Sequence, residues 1–166
     1  MAVTNSKKTW VVRIVLTVLT AAFVCWIYSN SLQNGAESTA VSERVRDFLQ
    51  KAYSACFPQS DFVFSLHLVR KAAHFCEYAL LGFLLYFTIK SYGAVLKSSM
   101  LVAGFLLIFV AVSDECLQFL SDGRAPAFLD VCIDLSGGVF GFFFAFALFV
   151  LFSKCKKRKT TKEETT

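Results

Sequence analysis

Four stretches of this 166-residue chain are apolar enough, and long enough, to cross a bilayer, and they constrain the fold more than any motif does. No residue from Ile14 to Ala36 is charged, and the apolar part of that stretch ends in Trp26 and Tyr28, side chains suited to a membrane interface. Lys71 and Lys90 bound a second apolar segment, which must therefore carry His74 and Glu77 within it. A third runs from about Ser98 to Leu120, and a fourth from Asp130 to a basic run that starts at Lys154. Hydrophobic residues reach 56% and charged ones only 17%, against roughly 45–50% and about 25% in soluble domains. Nineteen Phe could not all be hidden from water in so short a soluble chain. A soluble enzyme, a disordered tail and a secreted disulfide scaffold are all disfavoured.

The expected fold is thus an all-α integral membrane protein with four transmembrane helices, at about 11–29, 70–89, 98–120 and 130–152. It forms a single membrane domain over residues 1–166, with a basic tail at 153–166. A cleaved signal peptide competes for the first span, because Lys7, Lys8 and Arg13 precede it. The long apolar run and the missing small-x-small cleavage site argue against it. Counting Lys and Arg by side places eleven with the two termini and six on the other face, which predicts cytoplasmic termini. The KCKKRK run then serves as a stop and an anchor for anionic headgroups, and no nucleic-acid partner is expected. Cys25, Cys56, Cys76, Cys116, Cys132 and Cys155 contain no C-x-x-C pair and are expected as small buried hydrophobes.

The connection between the first two spans is the only one long enough for structure outside the bilayer. Val41, Val45, Phe48, Leu49 and Ala52 recur at helical spacing opposite Glu43, Arg44, Asp47, Gln50 and Lys51. This predicts an outer amphipathic helix, capped by Ser38, that lies on the membrane surface or over the mouth of the bundle. Beyond Pro58, the alternation of Phe62, Phe64 and Leu66 fits either a strand or a loop.

Ionisable groups inside a span cost about 2.5–3.5 kcal/mol each on insertion scales. Lys71, His74, Glu77, Asp114, Glu115, Asp130 and Asp134 therefore need a reason to be there. With cytoplasmic termini, all of them fall in the outer half of the membrane. Arg70, His74, Glu77 and Tyr78 share one helical stripe, Asp114 and Gln118 lie one turn apart, and Asp130, Asp134, Gly137, Gly138 and Gly141 share another stripe. The G-x-x-x-G formed by Gly137 and Gly141 permits close helix approach. A polar cup that opens outward follows, with Arg124 in the adjoining loop folded over it. Residues at span ends, such as Arg70, Lys90 and Asp122, could equally be solvated by headgroup water, and the carboxylates could serve only to hold the bundle closed. The segment from Asp122 to Asp134 is superficially like a CDP-alcohol phosphotransferase motif but lacks the earlier Asp pair.

The run from Arg70 through Lys71, His74, Phe75, Glu77 and Tyr78 to Gly82 resembles the R-K-x-A-H-F-x-E-Y-x-x-L-G signature of the VanZ family. Asp114, Glu115, Gln118, Arg124 and Asp130, followed by Asp134, Gly137, Gly138 and Gly141, are similar to its later segments. Ser31, Gln33, Gly35, Ser38 and Ser42 resemble the stretch after its first span. A departure lies in the loop before Arg124, where Pro126 follows the Arg. The resemblance implies a multi-pass cell-membrane protein of Gram-positive-type bacteria, linked to low-level resistance to teicoplanin-type glycopeptides, with no defined biochemical activity.

Two functional classes follow. In the first, Arg70, Lys71 and Arg124 hold an anionic lipid or lipid-linked wall-precursor headgroup, His74 shares a proton with it, and Glu77, Asp114, Glu115 and Asp134 pair with the bases. Gln118 and Asp130 complete the ligand-binding set. In the second, the protein is an enzyme acting on an envelope lipid, with His74 or Glu77 as acid/base and Asp130 and Asp134 orienting a group or a metal. Ion translocation is less favoured, since the cytoplasmic halves of the spans lack ionisable groups. Four carboxylates and one His could ligate a divalent ion, but the D-x-x-x-D of the fourth helix is a weak signal on its own, and outside that version of the enzyme neither a metal nor a cofactor is expected. Membrane lipids are the expected partners, and the oligomeric state is left open.

Overall fold

A computed structural model describes residues 2–124 and 127–163, with side chains over 9–124 and 127–154. The described residues form five helices and no strands: α1 (Ala2–Ser31), α2 (Gly35–Cys56), α3 (Leu66–Ser91), α4 (Leu96–Phe119) and α5 (Phe128–Glu163). Four stretches of helix are long and apolar enough to span a membrane: Thr9–Ser31, Leu66–Ser91, Leu96–Phe119 and Phe128–Lys154. In each of them only 11% to 33% of the most apolar window is buried inside the bundle. The outer surface, with Phe105, Phe109, Phe140 and Phe144 exposed on it, therefore needs an apolar solvent, and the chain is a multi-pass membrane protein.

Glycines set the centre of the bundle, where α3 and α5 share the most extensive contact. Carbons added at Gly137 and Gly141 would run into the backbone of Phe75 and Ala79, and one added at Gly82 into the backbone of Gly138. Only missing side chains let the two helices approach so closely. Around this seam, Ile27, Tyr78, Leu81, Leu85, Leu107, Val110 and Ala111 form one core cluster, and Tyr86, Ala103, Phe142 and Ala145 another. At the end away from Ser31, Arg13 donates from Nε to the Ser91 carbonyl at 2.8 Å and stacks over Tyr92. That end carries none of the clustered carboxylates.

Two local expectations change. Helix α2 starts before Ser38, because Asn34 adopts an extended conformation and its side chain accepts from Glu37 N–H at 2.8 Å. The cysteines are not core residues: Cys25, Cys56, Cys76, Cys116 and Cys132 are free and exposed. Larger apolar side chains such as Ile27, Leu81, Leu107 and Phe142 fill the inward faces, and the thiols stand on the outside of the bundle. The side chain of Cys155 lies outside the described residues, as do those of the basic tail beyond Lys154. The stretch after Pro58 is a loop. Gln50 pins it by donating to the Phe62 carbonyl and accepting from Phe64 N–H, both at 3.0 Å, beside the packed rings of Tyr53, Phe62 and Phe64.

Candidate functional site

The ionisable residues converge at the end of the bundle where α1 and α4 finish and α3 and α5 begin. Ser65 caps α3 by accepting from Leu68 N–H at 3.1 Å, so the helix opens a turn before Arg70 and carries Arg70, Lys71, His74 and Glu77 on its first four turns. At the start of α5, Glu115 of α4 accepts from Ala127 N–H at 2.9 Å. A carboxylate there meets the positive end of the α5 dipole. Asp130 lies in the first turn of α5 and approaches Lys71 Nζ at 3.5 Å, while Asp134 follows one turn deeper.

The loop between α4 and α5 closes over α1. Gly123 has a left-handed φ of 74°, which favours glycine. Gly35 N–H donates to the Asp122 carbonyl at 2.9 Å, and a carbon added at Gly35 would lie 2.6 Å from the Gly123 oxygen. Ser121 Oγ donates to the Ser31 carbonyl at 2.9 Å, and Arg124 Nη2 to the Asn30 carbonyl at 3.2 Å. These bonds place Arg124 over the mouth of the bundle. Pro126, the visible departure from the family pattern, lies outside the described residues.

Two adjoining hollows result. One, of about 100 Å³, is lined by Asn30, Gln33, Ser38, Val41, Ser42, Arg70, Ala73, His74, Glu77 and Arg124. The other, of about 120 Å³, is lined by His67, Arg70, Lys71, His74, Gly123, Arg124 and Asp130. Arg70, His74 and Arg124 belong to both, so the hollows form one cup. Helix α2 walls it with Ser38, Val41 and Ser42.

Within the cup the charges are not paired as expected. Lys71 and Asp130 form the one Lys or Arg to carboxylate contact found there among the described residues, while Arg70 and Arg124 meet no carboxylate at ion-pair distance. Burial, followed by the nearby Arg70 guanidinium, lowers Arg124 below the ordinary arginine value, yet an arginine stays charged in proteins. Glu77 accepts from Asn30 Nδ2 at 3.4 Å, and Asp114 accepts from Ser31 Oγ and, at 3.4 Å, from Gln118 Nε2. His74 Nδ1 lies 3.4 Å from Asp134 Oδ1. Asp114, Gln118 and Asp134 are buried beneath the hollows and do not line them. Glu115 faces the start of α5 instead.

Asn30 and Ser31 were absent from the expected site set, as were Ser38 and Ser42 of α2. Ser31, Ser38 and Ser42 do occur in the stretch that resembles the family after its first span, the available signal for them. Uncharged residues at a span end cost little in a bilayer, so a search for expensive groups passes over them.

No curated protein and no solved structure shows a significant match to this chain. A family model described as VanZ/LLP1 matches residues 10–152, which takes in nearly all of the four spans and every residue of the cup. With that match over most of its length, the chain belongs to the VanZ/LLP1 family.

Proposed function

We propose that the cup binds the phosphate-bearing headgroup of an envelope lipid or lipid-linked wall precursor at the outer face of the cell membrane, and so lowers susceptibility to teicoplanin-type glycopeptides. One observation carries this reading: Arg70 and Arg124 flank the same hollow with no carboxylate at ion-pair distance among the described residues. Two like charges held together over a cavity favour an anion between them, and arginine suits phosphate oxygens by its forked donors. Lys71, already paired with Asp130, contributes less than expected.

Cytoplasmic termini, supported by the Lys and Arg distribution, would turn the cup outward. In that orientation α2 lies in the outer interface. Val41, Val45 and Phe48 are 52%, 44% and 71% exposed, so the described chain leaves much of its apolar face open, and lipid would cover the remainder.

The test is teicoplanin susceptibility of a sensitive Gram-positive host that expresses the wild-type chain, Arg70→Ala or Arg124→Ala, with membrane levels matched by blot. Each charge-assisted bond removed is worth about 1.5–3 kcal/mol, so either change should abolish protection at equal abundance. Protection that survives the double variant overturns the anion site.

A second reading is favoured by His74, an imidazole that lines the cup 3.4 Å from Asp134 and one turn from Glu77, where an acid/base group could act. In it, the protein modifies the lipid it binds. Lipid profiles that differ between wild type and His74→Ala at equal abundance would support it, and identical profiles would remove it.

A further inference from the structure

We infer that His74, Asp114 and Asp134 bind a divalent metal cation at the floor of the cup. The three side chains come from α3, α4 and α5, and one candidate ligand atom from each lies within 4.8 Å of the others. This site goes beyond the headgroup reading and stands or falls without it, because none of its three ligands is an arginine of the mouth.

The strongest observation is Asp134. It is 0% exposed, and neither carboxylate oxygen has a hydrogen-bond partner among the described residues. A buried carboxylate so placed needs a counter-charge. The adjacent His74 does not fully supply it: its Nδ1 is 3.4 Å away and outside hydrogen-bond geometry, where a charge-assisted bond would be about 2.7–2.9 Å. The same 3.4 Å separation is close to the edge of about 3.3 Å expected between two ligands of a tetrahedral ion with bonds of about 2.0–2.1 Å. His74 and Asp134 are thus spaced as ligands to a third atom, and an oxygen of Asp114 stands within 4.8 Å of both.

Asp114 carries the support that a metal-binding carboxylate needs. Ser31 Oγ donates to one of its oxygens and Gln118 Nε2 to the other, which fixes the plane of the group while each oxygen keeps a free lone pair. Two carboxylates and a neutral imidazole balance a 2+ charge. One nitrogen with oxygen ligands and no thiolate suits Zn²⁺ or Mn²⁺, in preference to Cu(I) or Ca²⁺. His74 also lines the cavity between Arg70 and Arg124, so a cation on it would lie next to any phosphate held there.

The experiment uses the tag-free full-length chain in detergent micelles, stripped with EDTA and titrated with ZnCl₂ or MnCl₂ by calorimetry. Metal content after equilibrium dialysis is read by mass spectrometry, and Co²⁺ absorption serves as a spectroscopic check. The expected result is saturable binding of an ion per chain, weakened at least about tenfold by His74→Ala or Asp134→Asn, and about 10–100-fold by the support variant Ser31→Ala. Arg124→Ala should bind metal like the wild type, even if it has lost headgroup binding, which keeps the two proposals apart. Wild-type chain that takes up no stoichiometric ion overturns the site, as does unchanged binding by a monodisperse His74→Ala protein. If Asp134→Asn fails to accumulate, the wild-type titration and His74→Ala decide alone.

Discussion

Asp114 illustrates what hydrocarbon does to a single side chain. Its carboxylate is 1% exposed and is tolerated because Ser31 and Gln118 donate to it from α1 and from one turn along α4. Removing the hydroxyl in Ser31→Ala leaves one buried oxygen short of a donor, a loss of about 1–3 kcal/mol. The variant should therefore unfold several degrees earlier than wild type in a detergent thermal scan run without added metal. A melting temperature unchanged by the substitution would mean that the contact contributes nothing net. The costly partner in this pair was legible in the sequence, since an Asp in an apolar run stands out by its insertion energy. Ser31 was not, because a serine at the end of a span is unremarkable until the fold brings α4 beside it. Arg70 and Arg124 were both named from the sequence, but that they would meet no carboxylate depended on which way each side chain turned.

At the scale of elements, the same contrast separates helix existence from helix registry. The four apolar runs and the α2 stripe specify helices by length and period alone. The start of α2 is a different matter, since Asn34 and Ser38 are both acceptable caps. The choice is made by tertiary structure, because Gly35 N–H bonds to Asp122 and no other residue would fit against Gly123. The glycines of α3 and α5 give a graded prediction. Gly141→Ala would push a carbon into the Ala79 backbone, which cannot move without separating the helices, whereas a carbon at Gly138 meets only the end of the Leu107 side chain. Gly104 has open space around it. Gly141→Ala should destabilise by at least about 1–3 kcal/mol as an overpacked site, and Gly138→Ala by less. Gly104→Ala should be neutral or stabilising by up to about 1 kcal/mol, the difference in helix propensity. Thermal stability of the three purified variants orders them. If Gly141→Ala proved as stable as Gly104→Ala, the close α3–α5 seam would be wrong.

For the whole molecule, the bundle is polar at one end and apolar around its girth, and its orientation in the membrane decides what the cup can meet. The Lys and Arg asymmetry points to an outward cup, and the exposed cysteines offer a direct measurement of it. Cys25, Cys76, Cys116 and Cys132 lie on spans, on surfaces that lipid would cover, while Cys56 ends α2 beyond the spans. A thiol needs water to ionise and react. A membrane-impermeant maleimide added to intact cells should therefore label the chain, and Cys56→Ser should remove nearly all of that label. With the cup outward, labelling needs no lysis. If Cys56 reacts only after the membrane is broken, the cup faces the cytoplasm, and a role in shielding wall precursors from an extracellular glycopeptide fails with it. The metal site would survive that result, because the contacts among His74, Asp114 and Asp134 do not depend on which side of the membrane they face.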